Sequence, residues 1–289
     1  MTPFFSLIIP LYNSGNTLDN ALHSIRAQSF QNYELVFVDG GSIDHTLAIL
    51  SAFRRANSSV HIQLISEPDN SIYDAMNKGL HMASGQWFYF MGGDDTLHSP
   101  DVLRQISDAI GQGPADLIYG NVTGADSQVR YADDHISKVL SRGIHHQGIF
   151  YRRELFTYTG NYNPYFAVAA DYHLTLKIFC NESYKTRYID LDIAYFGETG
   201  LSSSTFDYRF FSYHYRFLAR HQALDKIEDR LTCLQKSIFC CLCLVKDKQS
   251  MFFAWRNILY YLTDTGVLSI GFKVKTFFRM IYWCLRPTA

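Results

Sequence analysis

No stretch of this chain strings together the roughly 18 apolar residues that a membrane-crossing helix needs, although 47% of its 289 residues are hydrophobic. No G-x-G-x-x-G follows an apolar run, which argues against a dinucleotide-binding dehydrogenase. The loop after the first apolar run, "PLYNSGNT", has one glycine and no cation. It therefore lacks the Gly-rich basic phosphate loop that a nucleotidyltransferase of similar layering would normally use. The N-terminal "MTPFFSLIIPLYNSG" has no basic n-region and no cleavage site, so it does not read as a signal peptide and a cytoplasmic protein is expected. Internal repeats and low-complexity tracts are absent as well. Of the six cysteines, four crowd into residues 233–243. Cys240 and Cys243 form a C-x-x-C, but no second pair and no nearby His accompanies it, and the surroundings are apolar. Reduced, buried thiols are expected there in place of a zinc or redox site.

What is present is an ordinary globular composition with extra aromatics, long enough to bury a full core without disulfides. Net charge is −1, but it is unevenly spread. Residues 205–289 carry 13 Lys and Arg against 6 Asp and Glu, a balance of +7 that leaves −8 for residues 1–204. An acidic body thus carries a basic tail.

The first part alternates strand and helix signals. Residues 4–12, "FFSLIIPLY", form a continuous apolar run of the kind covered on both faces. Helical spacing follows at Leu18, Ala21, Leu22 and Ile25. Further strands end at Asp39, near Glu67 and just before Asp94, and a fifth covers "ADLIYGNV". Helices are expected over 44–56, with Asp44 as cap, over 71–84, and over 100–113, with Pro100 in the first turn. This βαβαβαβαβ order predicts an α/β fold, a doubly wound, mostly parallel sheet flanked by helices. Ligands bind such sheets at the carboxyl ends of the strands. Asp39, Asp69, Asp94 and Asp95 all fall there.

The stretch "WFYFMGGDDTL", residues 87–97, is the most telling. An apolar strand runs through two glycines into two adjacent carboxylates, which repel each other and are costly to bury. Hard oxygen ligands of this kind suit Mg²⁺ or Mn²⁺, with phosphate oxygens completing the shell. Gly92 and Gly93 would let a ligand approach the backbone. "GGDD" is equally good chemistry for a solvated turn.

Several stretches together resemble family 2 glycosyltransferases: "IIPLYN" (8–13), "VDGGSIDHT" (38–46), "SEPDNSIYDAMNKGLHMASGQWFYFMGGDD" (66–95) and "AADYHLTLKI" (169–178). The likeness spans about residues 4–200 and implies the GT-A fold. It also implies an inverting, metal-dependent transfer from a nucleotide-diphosphate sugar, UDP-linked, to a glycan or lipid-linked acceptor of bacterial-type surface polysaccharide. Pro10, Tyr12 and Asn13 would line the nucleotide, and Asp39 would accept an N–H from the base. Asp69 would close on the nucleotide. Asp95, with Asp94, would hold Mn²⁺ or Mg²⁺, and Asp94 alternatively the ribose. Asp171 would be the catalytic base, although its place at the start of a helix also suits a first-turn acid. His145 and His146 would face the acceptor or serve structurally. Lys78 would offset diphosphate charge or be an exposed helix lysine, while Ser42 and Asp44 read as turn and cap residues. Many members carry a second acid where this chain has Gly40; "DGGS" with "YDAMNKG" resembles a subgroup.

A change of pattern near "GLSSST" (200–205) divides the chain into residues 1–204, where the resemblance implies a catalytic domain with a nucleotide-sugar half (about 1–120) and an acceptor half (121–204), and a helical extension, 205–289. In the extension, aromatics alternate with cations, as in "FKVKTFFRMIYWCLR". Such helices suit an anionic membrane surface, which would place the protein peripherally at the inner face of the plasma membrane. Packing on the catalytic domain, or a homo-oligomer interface, would use the same pattern. Nucleic acid fits poorly with an acidic body. A non-catalytic nucleotide-sugar-binding or scaffold protein is the alternative to an enzyme.

Overall fold

The computed structural model describes residues 2–198, 200, 204–263 and 268–285. Four strands form a parallel block: β1 (Phe5–Leu11), β2 (Tyr33–Asp39), β3 (His61–Ser66) and β4 (Trp87–Phe90), in the order β3-β2-β1-β4. Helices α1 (Leu18–Arg26), α2 (Thr46–Ala56) and α3 (Ile72–Met82) make the crossovers. Every residue of β1, β2 and β4 is buried, which is why these strands read as unbroken apolar runs. Their pleat still sorts the side chains. Phe5, Leu7, Ile9 and Leu11 pack with Leu18 and Leu22 of α1 on one face. Ile8, Val36 and Val38 pack with Tyr73, Met76 and Leu80 of α3 on the other.

Beyond β4 the chain makes β5 (Thr96–Leu97), α4 (Val102–Gly111), β6 (Leu117–Gly124), β7 (Arg130–Tyr131) and α5 (Ile136–Arg142). Then come β8 (Ile149–Arg152), α6 (Glu154–Thr159), α7 (Ala170–Phe179) and β9 (Thr186–Phe196). The parallel series stops at β4, because β8 lies antiparallel between β4 and β6. Four residues are too few to show a period, so this strand was hidden in the sequence inside "IHHQGIFYRREL". The sheet continues as β6-β9-β5, with β7 paired to β6. Two caps also differ from expectation. Pro100 precedes the Asp101 cap and is not in the first turn of α4. Asp44 sits one residue before the His45 cap, yet still takes the Thr46 N–H at 3.0 Å.

The C-terminal helices are α8 (Tyr208–Arg220), α9 (Arg230–Lys246), α10 (Met251–Thr263) and α11 (Ile270–Leu285). Phe210, Phe217 and Leu218 of α8 join the core that contains α7. Tyr215 instead faces a second core with Leu234, Ile238, Leu244, Ile258, Tyr261 and Met280. Cys240 and Cys241 are buried and all six cysteines are free, as their apolar setting predicts.

One buried acid ties the parallel block together. Glu34 of β2 accepts hydrogen bonds from Ser6 Oγ (2.6 Å), Ser84 N (2.6 Å), Gly85 N (3.1 Å) and Gln63 Nε2 (3.1 Å), and pairs with His61 Nδ1 at 2.9 Å. Burial pushes its carboxyl up, but these donors more than offset that and hold it below its ordinary 4.5. Glu34→Ala strands several buried donors and should cost about 3 kcal/mol. Since the folded-state value is depressed, the contribution is complete above the ordinary value and fades as pH falls through the folded one. Denaturant unfolding of wild type and variant at neutral and acid pH checks both points.

Candidate functional site

The carboxyl end of β4 delivers Asp94 and Asp95 through a tight turn. Asp95 is 1% exposed. Its Oδ2 accepts Gly92 N (2.6 Å), and its Oδ1 accepts Gly197 N (3.0 Å) and Gln147 Nε2 (3.4 Å). Asp94 is the exposed member of the pair. Gly92 leaves space for these acids and also lines the cleft, whereas Gly93 lies against Leu11 and Ser14. A Cβ on Gly92 would stand 2.7 Å from Asp94 Oδ1 and 3.2 Å from Asp95 Oδ2, and one on Gly93 would strike Leu11 and Ser14. Burial, and then the neighbouring Asp94 charge, pushes the Asp95 carboxyl up against these hydrogen bonds.

Asp171 reaches the same place from the first turn of α7. A cleft is lined by Pro10, Asp94, Asp95, His146 and Asp171 together. Asp171 Oδ1 accepts Tyr73 Oη (2.9 Å) and Tyr172 N (2.8 Å), and Oδ2 lies 3.4 Å from His146 Nδ1. Burial raises the Asp171 carboxyl, but the bonds from His146, Tyr172 and Tyr73 outweigh it and lower the value. His146 responds in reverse. Burial disfavours its charge, but Asp171, Asp95 and Asp94 raise its pKa overall. His145 is pushed down to about 4 by burial and then by His146, so it is neutral near pH 7.

Asp39 ends β2 fully buried. Its Oδ2 accepts Ser66 Oγ (2.6 Å), Ser42 N (3.1 Å) and Gly41 N (3.2 Å). Its Oδ1 is buried without a partner among the described residues. An unpaired buried acceptor is costly, and a ligand N–H would satisfy it. Tyr12 is 65% exposed and borders Gly40. Asn13 is a clamp: its N–H donates to Ser42 Oγ (2.7 Å) and its Oδ1 accepts Ile43 N (2.9 Å), with φ at 49°.

The "YDAMNKG" stretch works residue by residue. Tyr73 holds Asp171. Asp74 accepts Asn70 N (3.0 Å) at the start of α3. Asn77 exchanges two 2.9 Å bonds with the backbone of Tyr162. Lys78 is half-buried. It pairs with Asp69 at 2.5 Å and Glu67 at 2.9 Å, and those partners raise its pKa, Asp69 foremost. Gly79 lies against Ile8, where a Cβ would collide. Tyr73, Gln147 and Ser66 were not singled out in the sequence. The signal for Tyr73 was its i, i+4 spacing to Asn77, which puts both on the face of α3 turned toward Asp171 and Tyr162.

The donor set fits a hard divalent cation. Asp94 is open to the cleft, and Asp95 Oδ2, which accepts only the Gly92 N–H, keeps a lone pair. Among the described residues no group of three or more His, Cys, Asp or Glu gathers into a metal cage. Such a cation would therefore take its remaining oxygens from phosphate and water.

Against this geometry, the model of the family described as Glycosyl transferase family 2 matches residues 6–185. The chain is a family 2 glycosyltransferase. It is similar to the PGL/p-HBAD biosynthesis glycosyltransferase of Mycobacterium tuberculosis, 39% identical over 206 residues, covering 70% of this chain and 80% of the relative. Glycosyltransferase AglE of Haloferax volcanii is 29% identical, covering 60% of each. Among solved structures, S. aureus TarS 1–349 in complex with UDP-GlcNAc superposes with a TM-score of 0.69 at 17% identity, covering 97% of this chain and 89% of that one. In a longer TarS chain the covered share is 54%. The mannosyltransferase PcManGT of Pyrobaculum calidifontis, in complex with GDP-Man and Mn²⁺, gives 0.57 at 16% identity, covering 99% and 87%. These likenesses establish the GT-A-type fold that the sequence motifs imply.

In this glycosyltransferase Gly40 leaves little room for a side chain, and the reason is local. A Cβ there would lie 3.0 Å from Asp69 Oδ2. Gly40→Asp should therefore destabilise the protein by about 1–3 kcal/mol through crowding and like charge. Asp69→Gly in the same chain should recover part of the loss. A double-mutant cycle by denaturant unfolding checks this, and additive losses would contradict it.

Proposed function

We propose that this glycosyltransferase moves a sugar, with inversion, from a UDP-sugar to a hydroxyl of a glycan or lipid-linked glycan of a surface polysaccharide. The observation that carries the reading is that Asp171 and the Asp94–Asp95 turn line one cleft from opposite ends of the fold. Asp39 Oδ1, orphaned and buried, accepts a base N–H, flanked by Tyr12. Pro10 and the loop held by Asn13 and Asp69 border the nucleotide. Mn²⁺ or Mg²⁺ held by Asp95 and Asp94 would neutralise charge on the departing diphosphate. PcManGT, solved with Mn²⁺, supports a divalent ion here.

Asp171, kept ionised by Tyr73, Tyr172 N–H and His146, takes the acceptor hydroxyl proton. The oxygen then bonds to the anomeric carbon as the bond to diphosphate breaks, and the diphosphate leaves with the electron pair. His145 and His146 border the acceptor. In this reading residues 1–120 serve the donor, 121–204 the acceptor and 205–289 the docking of the enzyme at the inner face of a membrane.

Docking falls to α11. Among the described residues no helix is long and apolar enough to cross a membrane. Ile270, Phe278 and Leu285 are 81%, 64% and 79% exposed, beside Lys273, Lys275 and Arg279 and with no acid on the helix. That combination fits an interfacial helix on anionic lipid.

Asp171→Asn should abolish transfer while UDP affinity stays within about twofold. Turnover assays and calorimetry with Mn²⁺–UDP separate the two, and a fully active variant ends the base assignment. Tyr73→Phe removes a bond to the ionised carboxylate, so the Asp171 value rises and the acid limb of the pH–rate profile should move to higher pH. Charge reversal at Lys273, Lys275 and Arg279 should lower sedimentation with anionic vesicles; unchanged pelleting contradicts docking by α11.

A further inference from the structure

A cavity of about 650 Å³ opens beside Asp171, and His146, Gln147 and Asp171 line both it and the smaller cleft described above. Its volume lies within the range of ligand sites. One wall is made of three rings from separate elements. Tyr131 of β7 lies 4.7 Å from His145 and 5.7 Å from Phe196 of β9, and His145 lies 4.5 Å from Phe196. The other aromatic contribution comes from Phe206 and Phe211, stacked at 4.8 Å and 15°. Lys236 sits 3.4 Å from the Phe211 ring. None of these rings has a role in donor binding or proton transfer as derived above.

Three features narrow the occupant. The wall presents ring faces and edges, which attract flat apolar surfaces and C–H groups. His145 belongs to it as a neutral ring, because burial keeps it uncharged near pH 7. Polar groups, Asp133, Arg142 and Gln147, line the same cavity, so hydroxyl groups find partners around an apolar centre. We infer that Tyr131, His145 and Phe196 form a stacking platform for a pyranose ring, the acceptor sugar whose hydroxyl is turned toward Asp171. This rests on Asp171 marking the acceptor side. It specifies the acceptor's reacting unit as a sugar, and not a phenol, a lipid alcohol or a peptide side chain.

The test uses the full chain with Mn²⁺ and UDP, and a panel of methyl pyranosides as probes. Saturation-transfer-difference NMR should show ring C–H contacts for at least one pyranoside. Tyr131→Ala and Phe196→Ala should each weaken it by about tenfold, the loss of one ring contact. Tyr131→Phe should retain binding, since the ring and not the hydroxyl carries the contact. UDP affinity should be the same in all variants, which also shows that they are folded. Absence of pyranoside contacts, binding of phenol in their place, or wild-type pyranoside affinity in the alanine variants overturns the platform. Failure of the wild type to bind UDP would instead strike at the transferase reading itself.

Discussion

Three carboxylates, those of Asp94, Asp95 and Asp171, open on one small cleft, and the arrangement holds only because each is compensated differently. Asp95 is buried and takes two backbone N–H groups and an amide; Asp94 is exposed. Asp171 takes a phenol, a backbone N–H and an imidazole. His146 lies where it feels all three charges, and its raised pKa reflects that. Like charges this close cost free energy unless partners or a cation offset them. The fold does part of that work and leaves Asp94 facing the cleft.

The rest of the architecture serves this convergence. The parallel block brings β1, β2 and β4 to a common edge, where Pro10, Asp39 and Asp94 emerge. Helix α3 lies against the sheet through Gly79. From there it extends Tyr73 and Asn77 across to α7 and Tyr162. One helix packed on the parallel block thereby fixes Asp171 at the start of α7. Rigid support from packed elements is what catalytic geometry requires.

Much of this was legible in the sequence. The continuous apolar runs marked the buried parallel strands, and the paired aspartates at the end of one of them marked the cleft. The alternation 4–124 located helices α1 to α4 to within a few residues. What stayed hidden lacked a period or depended on long-range contacts. β8 is four residues long, and its antiparallel placement follows from the space between β4 and β6. That Gly92 also makes room for the two carboxylates shows only in three dimensions. Lys78 has two acidic partners, Asp69 and Glu67, that no local pattern pairs with it. The Tyr131–His145–Phe196 wall joins residues scattered from β7 to β9, and no local pattern announces it.

The central claim is that the ends of this chain's chemistry meet in one cleft when the donor is present. Paramagnetic relaxation by Mn²⁺ in the presence of UDP measures that directly. The account predicts strong UDP-dependent broadening of amide signals at 92–95, 146–147 and 171–172, with α11 unaffected. Broadening confined to 92–95, or centred elsewhere on the surface, would contradict it.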